Sequence, residues 1–330
     1  MAAAAVVMTW SATASAGPTL DAVKQKGFVQ CGVNTGLGGF SIADSKGRWV
    51  GLDVDICRAV AAAILGDGDK IKFTPLSAQQ RFTALQSGEV DILSRNTTWT
   101  LTRDTKLGLN FAGVTFYDGQ GFMVRKDLGV KSAKELNGAT ICVQPGTTTE
   151  LNLADYFRAQ GMQFEPVVIE AQQEVVSAFF SGRCDVFTTD ASGLASVRTN
   201  DAPNPDDYMI LPEIISKEPL GPAVRHGDDE WFDIVKWVIY ALLEAEEQGI
   251  TAANVDSMMD SKNPVVQRLL GATPGNGAAL GLDEAWATNA IKAVGNYGEI
   301  YERNIVPLGL SRGVNALWTK GGLMYAMPAR

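Results

Sequence analysis

Apolar positions along this chain fall into two recurring rhythms. Short apolar runs at 28–33, 71–73, 90–93, 140–143, 166–169 and 186–188 predict strands buried on both faces. Between them, residues 54–65, 78–86, 151–159 and 175–180 carry apolar side chains at helical spacing. Strands alternating with helices in this way predict parallel sheets covered by helices, an α/β fold. Capping boxes of the form S/T-x-x-E/Q start helices at Ser77, Ser132 and Thr147. The long amphipathic stretch 229–248 predicts a further helix. Its Trp231, Phe232, Trp237 and Tyr240 are read as packing residues, not a ligand cage.

The pattern also repeats. The segment RFTALQSGEVDIL at 81–93 is answered by VVSAFFSGRCDVF at 175–187, so Ala84, Ser87, Gly88 and Asp91 match Ala178, Ser181, Gly182 and Asp185. In both copies an apolar-faced helix ends at a glycine suited to the left-handed position after a helix, and a short strand follows. One echo is too little for a solenoid and fits two similar lobes. Extended stretches at 116–125 and through Pro212 and Pro219 are the expected crossings between them. Lobe one is then 17–118 plus 222–330, lobe two is 124–216, and two crossings make a hinge.

Composition narrows the class. A chain of 330 residues with 46% hydrophobic and 20% charged residues can bury a sizeable core, and a net charge of −9 argues against a nucleic-acid partner. Residues 1–16 are small and apolar and end in Ala14, Ser15 and Ala16, the A-x-A form of a signal-peptide cleavage site, so export is expected with Gly17 as the mature start. No Lys or Arg precedes that run, which places the expected true start upstream. No later stretch is long and apolar enough to span a membrane. Cys31, Cys57, Cys142 and Cys184 fit an oxidising compartment. Of the three possible pairings, Cys31 with Cys57 and Cys142 with Cys184 is favoured because each stays within one lobe; four buried thiols are the alternative.

Ligand sites in open α/β sheets lie beyond the C-terminal ends of the strands. Here those loops are 34–40, 76–81 and 94–103 in lobe one, and 144–149 and 188–192 in lobe two. Arg103 is the sharpest signal, because Thr100 caps a predicted helix through Leu107 and so places a cation in the first turn, where the helix dipole favours anions. The arrangement makes sense if Arg103 and the free N–H groups face an anion together; a surface ion pair with Asp104 or Glu89 is the alternative. Arg81 sits in the same way after Ser77. Asp190 ends a lobe-two strand where Asn96 follows its lobe-one counterpart, and could receive an ammonium group or cap the next helix. The single histidine, His226, in a polar turn, nearly excludes a His-centred metal site or a Ser-His-Asp triad, and no phosphate-loop or dinucleotide motif occurs. No metal or cofactor is expected.

The segments GLDVDICRAV at 51–60, LQSGEVDI at 85–92, TWTLTR at 98–103 and VQPGTTT at 143–149 resemble the polar amino-acid-binding proteins of bacterial ABC transporters. The resemblance runs from about Asp21 to Gln248. VNTGL at 33–37, TTTELNLADYF at 147–157 and PEIISKEPLGPAVR at 212–225 resemble the general L-amino-acid-binding subgroup. So do GNYGE at 295–299 and NALWTKGG at 315–322 in a longer C-terminal stretch. The resemblance implies a two-lobed periplasmic binding protein fold of type II, with two hinge crossings and a C-terminal helical extension. It implies a periplasmic monomer, not an enzyme, that closes on an amino acid and docks on a membrane permease driven by ATPase subunits.

The resemblance also implies site roles. Arg103 would bind the α-carboxylate with Thr98 and the loop of Gly146, Thr147 and Thr148, and Asp190 would take the α-ammonium with backbone near Asn96. Arg81 matches an arginine that holds a side-chain carboxylate in acidic-ligand relatives, while Asn34, Gln144 and Thr149 fall where selectivity is set. Leu37 stands where many relatives place a stacking aromatic, and Asn34 replaces a common aspartate. Both departures argue against a cationic ligand and suit a broad site favouring acidic or amide side chains. A dehydratase or a ligand sensor on the same scaffold is the alternative.

Overall fold

Two five-stranded sheets, built on one plan, carry the architecture of residues 17–330, the part the computed structural model describes; the expected leader at 1–16 lies outside the described residues. The first sheet runs Ile71–Leu76, Val29–Asn34, Ile92–Leu93, Ala223–Arg225, Leu109–Phe111 in spatial order, and the second runs Glu165–Val168, Thr140–Val143, Val186–Asp190, Gln120–Arg125, Tyr208–Ile210. In each, the first three strands are parallel and the fourth is antiparallel to both its neighbours. The expectation of parallel sheets holds for the first three strands of each, and the antiparallel fourth strand is a correction to it. A strand buried on both faces is apolar throughout and carries no mark of its direction.

The antiparallel strand is, in each sheet, the one that arrives from the other lobe. Phe116–Asp118 leads into Gln120–Arg125, and Glu218–Leu220 leads into Ala223–Arg225. These two crossing segments pair antiparallel, with Phe116 opposite Leu220 and Asp118 opposite Glu218. They form the hinge.

The sequence echo has a structural counterpart. Helix Arg81–Ser87 ends at Gly88 with φ 80°, and helix Gln172–Phe180 is followed by Gly182 with φ 79°, left-handed values that glycine adopts without strain. Asp91 then accepts the amide of Gln30 at 2.7 Å, and Asp185 accepts that of Thr140 at 2.9 Å, so each aspartate ties its unit to the start of the adjacent strand. Helices Leu52–Leu65, Thr148–Ala159 and Asp229–Glu247 also form as the periodicity predicts, with Trp231 buried and its indole N–H on the Asp91 carbonyl.

Two local expectations change. The Ser132 box opens a single 3-10 turn, Ala133–Glu135, because Glu135 reaches the Lys131 amide instead of closing on Ser132. The helix after Thr100 stops at Thr105, although Thr100 does cap it by accepting the Arg103 amide at 3.3 Å.

Disulfides join Cys31 to Cys57 and Cys142 to Cys184, at Cα separations of 6.3 and 5.6 Å, within the usual range. The first pins a central strand to the helix Leu52–Leu65, and the second pins one to the loop before the strand Val186–Asp190. Beyond Glu247 the chain continues as short helices, of which Trp286–Val294 packs on Leu52–Leu65 and on Asp229–Glu247. Asn296 and Glu299 form a complete capping box for Tyr297–Asn304, a start signal the sequence reading passed over. This extension also reaches the hinge. The Tyr297 hydroxyl donates to the Thr115 carbonyl at 2.7 Å, Tyr301 stacks on Phe116, and the buried Asn315 side chain bonds both backbone groups of Tyr117, at 2.7 and 3.0 Å.

Candidate functional site

The parallel strands of both sheets point their C-terminal ends at one polar cleft between the lobes, the place where open α/β sheets hold their ligands. Lobe one lines it with Asn34, Leu37, Arg81, Arg95, Asn96 and Thr98. Lobe two adds Gln144, Thr147, Thr148, Thr149, Gln172, Thr189, Asp190 and Gly193. Contacts across the mouth, such as the Ser77 hydroxyl donating to Glu170 at 2.6 Å, describe a closed arrangement.

Nine of the eleven residues singled out in the sequence line this cavity, and two do not. Arg103 lies directly behind its wall, 7% exposed, donating from Nη1 to the Thr98 carbonyl at 2.8 Å and resting over the Phe82 ring. It forms no ion pair among the described residues, which removes the surface-pair alternative. Gly146 is turned away, since its amide is engaged by Glu150 at 3.0 Å. The same bond takes the Glu150 carboxylate from the Thr147 backbone and leaves that capping box half made, with Thr147 accepting the Glu150 amide at 3.1 Å. The helix Thr148–Ala159 consequently presents its first-turn N–H groups beside the cavity, a setting that favours anions.

Arg95, Gln172, Thr189 and Gly193 are wall residues the sequence reading did not single out. Arg95 was in principle findable, being a cation placed directly after the strand Ile92–Leu93, inside a loop already assigned to the site. It donates from Nε to the Leu76 carbonyl at 2.9 Å. Three arginines therefore crowd one side of the cleft. Burial pushes Arg95 and Arg103 down to about 10, and holds Arg81 well below the usual range with help from repulsion by the other two. Arg81 is 3% exposed and its Nε is buried with no partner. An uncompensated guanidinium in such a place is costly unless an anion meets it.

Asp190 faces them from lobe two. It stands before the helix Ala191–Asn200, yet its side chain makes no capping bond, so that alternative does not hold. Burial, and then the neighbouring Asp118 and Glu218, hold its carboxyl well above the carboxylate range. Asn96 is the only non-glycine residue with positive φ among the described residues, at 33°. Two bonds fix it there: its amide donates to the buried Asp53 at 2.7 Å, and its Oδ1 accepts from Asn34 at 3.0 Å. Asp53 itself is pushed up to about 6 by burial, a shift limited by the Asn96 amide and the Ser94 hydroxyl. His226 is exposed, 3.8 Å from Asp104 and remote from the cavity walls.

A cleft between two lobes of this topology, polar, closed over by both and lined by opposed charges, defines a solute-binding protein. The chain belongs to the bacterial extracellular solute-binding proteins, family 3, whose pattern matches residues 29–252 and so leaves the C-terminal extension outside it. It is 62% identical to the general L-amino acid-binding periplasmic protein of Rhizobium johnstonii, over 99% of this chain and 97% of that one. It is 58% identical to the glutamate/glutamine/aspartate/asparagine-binding protein of Rhodobacter capsulatus, over 97% of this chain and 95% of that one. Among solved structures, an ABC transporter periplasmic binding protein from Brucella ovis with glutathione bound matches with a TM-score of 0.92 at 60% identity, covering 94% of this chain and 99% of that chain. No helix of the described residues is long and apolar enough to cross a membrane.

Proposed function

We propose that this protein captures L-amino acids in the interlobe cleft and delivers them to a membrane permease for ATP-driven import, with a preference for acidic and amide side chains. The observation that carries the preference is the charge imbalance of the walls: Arg81 and Arg95 face the cavity against Asp190 alone. An α-ammonium satisfies Asp190. The α-carboxylate is held by the Thr98 amide, by the N–H groups at the start of Thr148–Ala159, and by Arg103 behind them. A second acceptor at the end of the ligand then meets the unpartnered Arg81, with Asn34, Gln144 and Thr149 around it. The names of the Rhizobium and Rhodobacter relatives support the same reading. In it the lobes are 17–118 with 222–330, and 124–216, the protein is an exported monomer acting in the periplasm after cleavage before Gly17, and it performs no catalysis.

Short peptides with a free amino-acid end are a second reading, favoured by the glutathione in the Brucella ovis structure. Titration calorimetry with glutamate, glutamine, aspartate, asparagine, leucine, arginine and glutathione tests both. Binding led by glutamate or glutamine is expected; no heat with any of them would overturn the proposal. Loss of amino-acid uptake on gene deletion separates an importer from a sensor, and unchanged ligand after long incubation separates it from a dehydratase.

A further inference from the structure

The most completely bonded carboxylate at the hinge belongs to Glu218, a residue not among those singled out from the sequence. It lies on the crossing strand Glu218–Leu220 and is 1% exposed. Its Oε2 accepts from the Thr98 hydroxyl at 2.6 Å and from the Thr148 hydroxyl at 2.9 Å. Its Oε1 accepts from Asn152 Nδ2 at 2.9 Å and from the Ser216 hydroxyl at 2.7 Å. An ionised carboxylate offers about four acceptor sites, and all four are filled. No basic side chain approaches within ion-pair distance among the described residues, so its direct partners are all hydrogen-bond donors.

The donors come from both sides of the cleft. Thr98 precedes the lobe-one helix Leu101–Thr105, while Thr148 and Asn152 lie on the lobe-two helix Thr148–Ala159. When the cleft opens, these two helices part, and Glu218 can follow only one of them. The full set of bonds exists in the closed form alone. The hydroxyls of Thr98 and Thr148 lie 3.3 Å apart, longer than either of their bonds to Glu218, so both protons go to the carboxylate. Both rotors are thereby fixed, and toward the cavity both oxygens present lone pairs only.

We infer that Glu218 is a positioning residue: a ligand-independent tie that draws the lobes together and presets the Thr98 and Thr148 hydroxyls, acting alike on every ligand. The inference rests on the cleft being the ligand site. It places the common part of the affinity in the hinge and leaves side-chain choice to the cavity walls. The outer contact from Ser77 to Glu170 is exposed and contributes little by comparison.

Stopped-flow binding of glutamate, glutamine and leucine to the mature protein and to the variants Glu218→Ala, Glu218→Gln and Asn152→Ala tests this. Glu218→Ala is expected to raise the dissociation rate by about tenfold or more, by a similar factor for each ligand, with association changed by less than about threefold. Glu218→Gln keeps one acceptor oxygen for the two threonines, while Asn152 can turn its carbonyl to the new amide, and should restore most of the loss. Asn152→Ala removes a lobe-two donor without touching the cavity wall, and should raise dissociation about threefold; this arm decides if Glu218→Ala does not fold. A loss confined to one ligand, a change in association instead of dissociation, or a Gln variant as weak as Ala would overturn the assignment. A wild-type protein that bound none of the ligands would overturn the functional reading instead.

Discussion

The proposed role of Asp190, with Asp118 beside it, makes binding depend on pH. Burial raises both, Asp118 to about 6, and the ammonium of a ligand favours the ionised form of Asp190. The bound pKa is therefore lower than the free one, so affinity is full above the free value and falls as the pH drops through it. Calorimetry from about pH 8 down to about pH 5 should show affinity falling toward the acid end, with protons released on binding there; a flat profile would count against Asp190 as the ammonium partner. The arginines divide differently. Arg81→Ala should weaken glutamate and aspartate by roughly thirtyfold or more and leave leucine nearly unchanged, whereas Arg103→Ala should weaken all three. Equal losses across ligands for both would sink that division. At this scale the sequence was informative where a residue broke a local rule, as a cation in the first turn of a helix does. Glu218 broke none, because its partners Thr98, Thr148 and Asn152 lie far along the chain and leave no trace in spacing, whereas Arg95 was legible only from its place in the loop 94–103.

The elements were largely legible, their directions and couplings less so. Apolar periodicity located the central strands and the long helices to within a few residues, and the Gly88 and Gly182 echo identified two equivalent units. What it could not supply was the reversed fourth strand of each sheet, since a doubly buried strand reads the same in either direction. The hold of the C-terminal extension on the hinge was equally hidden. Asn315 satisfies the N–H and C=O of Tyr117 with one side chain, closing an edge of the hinge strand Phe116–Asp118 that would otherwise stay unpaired there. Asn315→Ala should cost about 1–3 kcal/mol by thermal or urea unfolding and speed hydrogen exchange at 116–118. Unchanged exchange at the hinge would show that the extension packs without bracing it.

For the molecule as a whole, the proposed function makes opening and closing a rotation of two lobes about a paired two-stranded hinge. A saturating amino acid should lower the radius of gyration in small-angle scattering, and the ligand-free Glu218→Ala protein should be no more compact than the ligand-free wild type. A radius that did not respond to a ligand shown to bind would exclude lobe closure.

The reversed strands bear on how the chain becomes a protein at all. Every strand of the second sheet lies in one continuous stretch, 120–210, but Leu93 of the first sheet meets its partner Ala223 only 130 residues later. Delivered from its N-terminus, the chain can finish its second half-fold while the first still shows the bare side of Ile92–Leu93. An unpaired strand edge is where mispairing during biogenesis is expected, and the Cys31–Cys57 bond, with a sequence separation of 26, needs no residue beyond that point of the chain to close.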